Sequence, residues 1–298
     1  MRENDIFVHP TATVHPKARL DSGVRIGPCS FIGEKVSVHK NTRIDANVFI
    51  DGQTEIGEDC HFFPYSSIGT EPQDITYKGE GTLVKIGDRN IFREFITVNR
   101  GTVKAGGQTV VGNDNYFMAY SHIGHDCFVG NETIFINAAT LGGHVTVQDF
   151  TTVGAFSGIH QFCRVGKHAF IGGSTIITQD VFPFSRVAGS RPVLLFGLNA
   201  IGLRRRGFSK KRIKVIKEIF KIFFYSDLNS TQATDKIKEK FPPGEDRDEI
   251  INFIQSSQRG IVKKTALCIE AQSIPFFQKE EAISLADAHR ISIVVKKP

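Results

Sequence analysis

An aliphatic or aromatic residue recurs every six positions through most of the 298-residue chain, at Val8, Val14, Leu20, Ile26, Ile32, Val38, Ile44, Ile50, Ile56, Phe62 and Ile68. The same phase returns at Ile86, Phe92 and Val98. It then continues one residue later at Val111, Phe117, Ile123, Val129, Phe135, Leu141, Val147, Val153, Ile159, Val165, Ile171 and Ile177. A helix would show a period of 3.6 and a half-buried strand strict alternation, so a period of six fits neither. It fits a prism whose coils take three hexads, or 18 residues, each. Every inward side chain then stacks on its equivalents in the coils above and below, about 4.8 Å away. A continuous core results that no single coil could make.

The residue two places before each apolar position is small, as in Ala12, Ala18, Ser30, Thr42, Thr54 and Ser66, and the residue after it is often Gly or Asp. Both choices suit tight corners. Hexads of this form resemble those of the left-handed parallel β-helix family, and the handedness is an implication of that resemblance. Two segments interrupt the repeat, Thr70 to Val84 and Arg100 to Val110, and insertions in a solenoid gather on a functional face. After Pro183 the pattern changes: Ile213, Ile216, Ile219, Phe220 and Phe223 lie at helical spacing, with Ser209 as N-cap and Pro242-Pro243 as a later breaker. The expected organisation is an all-β left-handed parallel β-helix domain over 1–189, a C-terminal α-helical domain over 190–264, and an unassigned extension over 265–298.

Composition narrows the class. At 40% hydrophobic and 23% charged residues the chain reads as a globular protein. No stretch approaches the roughly 18 apolar residues of a membrane span. The repeat begins so early that no room is left for a signal peptide, and a cytoplasmic location is expected. The five cysteines include no CxxC pair, which disfavours a disulfide framework or a structural zinc site. Cys29, Cys60, Cys127 and Cys163 occupy repeat positions elsewhere held by small residues, and buried filler is their expected role. No Gly-x-Ser-x-Gly elbow, P-loop or His-Glu-x-x-His motif occurs, and no cofactor is implied.

The hexads at Ile123, Leu141 and Ile159 are 18 residues apart and carry His125, His144 and His160 at one corner of three successive coils, with His122 just before. Such a strip spans two coil spacings, roughly 10 Å. Groups titrating near neutrality serve acid–base chemistry, and they also bind zinc. Asp126 follows His125 and can fix its tautomer. Gly142-Gly143 would let a backbone N–H approach a developing oxyanion.

The runs Pro72-Gln-Asp, Ile86-Gly-Asp-Arg-Asn-Ile-Phe-Arg-Glu, Arg100-Gly-Thr, His122-Ile-Gly-His-Asp-Cys, Leu141-Gly-Gly-His-Val, His160-Gln-Phe-Cys, Gly172-Gly, Gln179-Asp-Val and Gly202-Leu-Arg-Arg-Arg-Gly-Phe strongly resemble the UDP-N-acetylglucosamine O-acyltransferase family, which opens lipid A synthesis. The resemblance covers about 1–264. It implies a homotrimer with active sites between neighbouring prisms, moving an R-3-hydroxyacyl group from acyl carrier protein to the glucosamine 3-hydroxyl of UDP-N-acetylglucosamine. It makes His125 the general base, Asp126 its orienting partner and Gly143 the oxyanion donor. It places Gln73, Asp74, His122, His144, His160 and Gln161 in the substrate cleft, Gly173 at the end of the acyl groove, and Asn199, Arg205 and Arg206 at the nucleotide end.

Three departures from the family pattern stand out. Thr76 stands where a lysine is common, Ile201 where a glutamate is common, and the segment from Thr265 to Pro298 runs beyond the usual end. The first two admit a 3-amino sugar acceptor, acylated to an amide. A zinc-dependent γ-type carbonic anhydrase is the rival from another class, since it shares the prism and uses three histidines on zinc. The net charge of +6 gathers partly in Arg204, Arg205, Arg206, Lys210, Lys211, Arg212, Lys214 and Lys217, which suit an acidic carrier protein and a diphosphate. No aromatic-interleaved motif accompanies them, so nucleic acid is not the expected partner.

Overall fold

The computed structural model describes residues 5–263, 265–270 and 291–296. Short strands, mostly of two residues, wind into three flat faces joined by parallel pairing between coils. The first face includes Arg43–Ile44, His61–Phe62, Ile91–Phe92 and Tyr116–Phe117; the second includes Thr97–Asn99, His122–Ile123, Thr140–Leu141 and Gly158–Ile159; the third includes Phe128–Val129, Thr146–Val147 and Arg164–Val165. Partners such as Ile123↔Leu141 and Val129↔Val147 lie 18 residues apart, as the repeat requires.

The hexad apolar residues fill the prism. Ile26, Ile32, Ile44, Ile50, Val129 and Leu141 are buried, and Phe62, Phe92 and Phe117 stack with ring centroids 4.6 and 4.9 Å apart. The small residue two places earlier does more than fill space. Thr42 Oγ1 donates to the Gly57 carbonyl at 2.8 Å and accepts from Cys60 N at 3.0 Å, so a buried hydroxyl satisfies the backbone of the next coil.

The corners differ from the sequence reading. The left-handed backbone sits three residues before each apolar position, mostly on non-glycine residues such as Asn41, Asp126, His144, Phe150 and His168. A single such residue costs of order 1–3 kcal/mol. Stacking along each edge offsets part of it: Phe150, His168 and Phe184 form one column, with centroids 4.5 and 5.5 Å apart. The glycine after the apolar residue serves close approach instead. A Cβ on Gly124 would stand 2.8 Å from the Leu141 carbonyl oxygen. Cys60, Cys127 and Cys163 are buried filler as expected, whereas Cys29 is exposed because it occupies a left-handed corner.

The two interruptions leave the prism after Thr70 and Asn99 and rejoin it at the strands Leu83–Ile86 and Gln108–Val111. Beyond the prism, strand Leu194–Leu198 turns back antiparallel to Ser185–Ala188 within the region expected to be helical. Helices follow: α1 (Ala200–Arg205), α2 (Lys210–Phe224), α3 (Ser230–Lys240) and α4 (Glu245–Gln255). Ser209 caps α2 by accepting from Arg212 N at 3.1 Å, and Asn229 with Gln232 forms a capping box on α3. Ile216, Ile219, Phe220 and Phe223 form the buried face of α2, and Phe182 at the end of the prism contacts Phe220, Phe223, Phe224 and Phe253. Within the unassigned extension, strands Thr265–Glu270 and Ile291–Lys296 pair in parallel, the first of them joining Leu195. The intervening residues lie outside the described ones.

His168 carries a consequence for pH. It is only 6% exposed, between Phe150, Phe184 and Phe208, and burial pushes its pKa down to about 4, helped by Lys167, Arg206 and Arg212 against Asp246. The unfolded imidazole, titrating near 6.5, binds the proton first, so stability is full above that pH and falls as pH drops toward about 4. The loss amounts to about 3 kcal/mol. Phenylalanine occupies the same corner at positions 150 and 184, so His168→Phe is expected to fold and to flatten this acid branch. Denaturant melts between pH 4 and 7 check it; an unchanged acid branch would contradict the assignment.

Candidate active site

The coil register brings four of the expected residues together at the edge between the second and third faces. Residues 126, 144 and 162 are equivalent left-handed corners there, and His125 lies directly over Gly143. His125 Nδ1 is 2.8 Å from Asp126 Oδ2. Because a carboxylate only accepts, Nδ1 carries the proton and Nε2 is left with a free lone pair. The Asp126 side chain is 1% exposed, and its oxygens also accept from Thr102 N at 2.8 Å and Thr102 Oγ1 at 2.7 Å. Thr102 belongs to the second insertion, which is thereby fastened to the edge.

Gly143 is buried, and a Cβ there would lie 2.4 Å from His125 Cε1 and 2.6 Å from Nε2, so glycine is what lets the imidazole settle on the next coil. The Gly143 N–H meets no acceptor among the described residues. An unspent donor thus faces the edge beside a basic nitrogen.

His144 contacts the His125 ring edge-on at 5.1 Å and stacks on Phe162 at 4.4 Å. Burial lowers its pKa, with Asp126 opposing. His122 extends from the adjacent strand of the second face, where its Nδ1 is 2.7 Å from Thr97 Oγ1; burial, then His125, lowers its pKa too. Both imidazoles are therefore uncharged near neutrality. His160 lies along the same edge but is exposed and turned toward Gln161 O and Arg259, each at 3.1 Å from its Nδ1. Gln161 stands beside Gly142 in the neighbouring coil. Only His125, Asp126 and His144 form a potential metal-ligand group among the described residues. The three-imidazole set needed for the carbonic anhydrase alternative is therefore not assembled within the described chain.

The first insertion adds Asp74. Its Oδ1 accepts from Thr76 N at 2.9 Å and Thr76 Oγ1 at 2.8 Å, while Lys104 Nζ of the second insertion donates to Oδ2 at 3.1 Å. These contacts, those of Thr76 first, hold the Asp74 carboxyl well below the usual carboxylate range. Gln73 is exposed beside it.

The remaining expected residues stand apart. Gly173 lies at the edge between the first and second faces. Asn199 caps α1, accepting from Gly202 N and donating to His168 O at 3.0 Å. Arg206 pairs with Glu132 and covers the Phe150 ring at the edge between the third and first faces, and Arg205 is exposed nearby. One chain alone does not bring this group to His125. Sequence reasoning singled out neither Thr102 nor Lys104. Thr102 stood in the Arg100-Gly-Thr run, but a lone hydroxyl or ammonium on an insertion has no periodic partner to betray it.

The chain resembles proteins of known kind. Residues 180–262 match the model for domain 2 of Udp N-acetylglucosamine O-acyltransferase. A relative named acyl-[acyl-carrier-protein]–UDP-N-acetylglucosamine O-acyltransferase, from Thermodesulfovibrio yellowstonii, is 46% identical over 256 residues, covering 86% of this chain and 99% of that one. LpxA from Acinetobacter baumannii superposes with a TM-score of 0.83 at 40% identity, covering 86% of this chain and 99% of the other. The Francisella novicida UDP-N-acetylglucosamine acyltransferase gives 0.83 at 39% identity, with 87% and 94% covered. The fold is accordingly the left-handed parallel β-helix with C-terminal helices. This chain is an acyltransferase belonging to the UDP-N-acetylglucosamine O-acyltransferase family.

Proposed function

We propose that the chain transfers an R-3-hydroxyacyl group from acyl carrier protein to the glucosamine 3-hydroxyl of UDP-N-acetylglucosamine, the first step of lipid A synthesis, as a cytoplasmic homotrimer. The observation that carries the chemistry is the free Nε2 of an Asp126-oriented His125 lying on the unpaired N–H of Gly143. Nε2 takes the proton of the sugar hydroxyl as its oxygen attacks the thioester carbonyl. The developing oxyanion accepts from Gly143 N–H. Collapse breaks the carbon–sulfur bond, and the imidazolium returns the proton to the departing thiolate.

Asp74 and Gln73 serve the sugar and acyl chain, and His122, His144, His160 and Gln161 line the cleft. Asn199, Arg205 and Arg206 serve the nucleotide end. Because Arg206 sits at another edge from His125, the site is completed by a neighbouring prism. The stacked Tyr65, Phe95 and Tyr120, with Phe156 further along, are 43–70% exposed and supply an aromatic edge suited to burial between copies. Arg212 is already paired with Asp246, whereas Lys210, Lys211, Lys214 and Lys217 are exposed and suit an acidic carrier protein.

His125→Ala is expected to leave the fold intact and lower kcat by roughly 10²–10⁴, with Asp126→Asn also impaired. Steady-state kinetics on folded variants tests this, and near-normal turnover would overturn the general-base role. Gly143→Ala should cost about 10² in rate at little cost in folding, since the added methyl displaces the imidazole. Wild-type rates there would refute the close approach.

Gly173 has backbone compatible with any residue, and a Cβ would meet only the Ala155 oxygen, at 3.3 Å. Gly173→Met should therefore fold and shift preference toward acyl chains shorter by several carbons. Competition among 3-hydroxyacyl carrier proteins checks the shift; an equal loss at every length would reject a ruler at this position.

A further inference from the structure

The two insertions meet through Lys104, whose side chain is 56% exposed although its ammonium contacts both Asp74 and Thr76 of the first insertion. Other braces already hold the insertions together. Asn99 Nδ2 donates to the Glu71 carbonyl at 2.6 Å, Arg100 Nη1 to the Gly69 carbonyl at 2.9 Å and Arg100 Nη2 to the Tyr77 hydroxyl at 3.0 Å. An exposed lysine adds little to such a frame, because exposed pairs contribute weakly to stability. Its position is more telling. Thr102, two residues earlier, grips Asp126, and the charges of both Asp74 and Lys104 act on His144. An ammonium has three donors, and Asp74 and Thr76 occupy two.

We propose that Lys104 is a positioning and specificity residue for the acceptor: its remaining N–H binds an oxygen of the nucleoside diphosphate sugar, while its charge keeps Asp74 a pure hydrogen-bond acceptor toward the same ligand. The position of Thr76, where the family pattern carries a lysine, is thus served by an ammonium from the other insertion. The inference rests on the acyl-transfer reading, and wild-type turnover in the same assay keeps failure of the two apart.

The test compares Lys104→Met with Lys104→Arg, following UDP-N-acetylglucosamine binding by calorimetry and both Michaelis constants. Loss of a charge-assisted hydrogen bond should weaken acceptor binding about tenfold in Lys104→Met, leave the carrier-protein Michaelis constant within about twofold, and be largely spared in Lys104→Arg. Thr76→Lys added to Lys104→Met should restore acceptor affinity, which also covers the case of a poorly folding single variant. Unchanged acceptor affinity in Lys104→Met, an equal loss for both substrates, or failure of both arginine and Thr76→Lys to recover binding would overturn the proposal.

Discussion

Everything at this site depends on one constraint: parallel backbone pairing locks residues 18 positions apart into vertical register. Asp126, His144 and Phe162 become neighbours in a column although 36 residues of chain separate the outer two. The same register sets His125 on Gly143. Side-chain position is therefore fixed by the inward apolar stack, which cannot slip by a residue without turning its core outward. A rigid prism of this kind holds catalytic geometry without a separate supporting framework.

The left-handed corners are where the scaffold and the chemistry share the same atoms. A corner residue points its side chain outward and sacrifices some conformational stability, which the edge columns of aromatic rings offset. At the second–third edge the column instead holds a carboxylate, an imidazole and a phenyl ring. Asp126 tolerates its burial because Thr102 and His125 satisfy its oxygens. The second insertion is in that sense part of the catalytic edge, and through Lys104 it extends to Asp74.

Much of this was legible in the sequence because period-six patterning is a backbone property written in every hexad. The prism, its coil length, the His125-Asp126 pair and the Ser209 cap all follow from residues at regular spacing. The offset of His160 was not legible. Its hexad matches those of His125 and His144, but it aligns with Gly124 and Gly142, not with either imidazole. The left-handed position was also hidden, since glycine is the usual sign of positive φ and these corners carry Asn, Asp, His and Phe. Contacts made by the insertions escaped for a simpler reason: they join segments with no shared period. The nucleotide-end residues lie at a different edge, so the sequence could name them through family resemblance but the register of one chain does not unite them with His125.

The most direct test is the chemical identity of the product. Purified protein given 3-hydroxyacyl carrier protein and a mixture of UDP-N-acetylglucosamine and its 3-amino analogue should release a single acylated nucleotide sugar, read by tandem mass spectrometry. The account predicts an ester at the glucosamine 3-oxygen, formed by the free Nε2 of His125. Absence of any acylated sugar, or an amide from the 3-amino analogue alone, would contradict it.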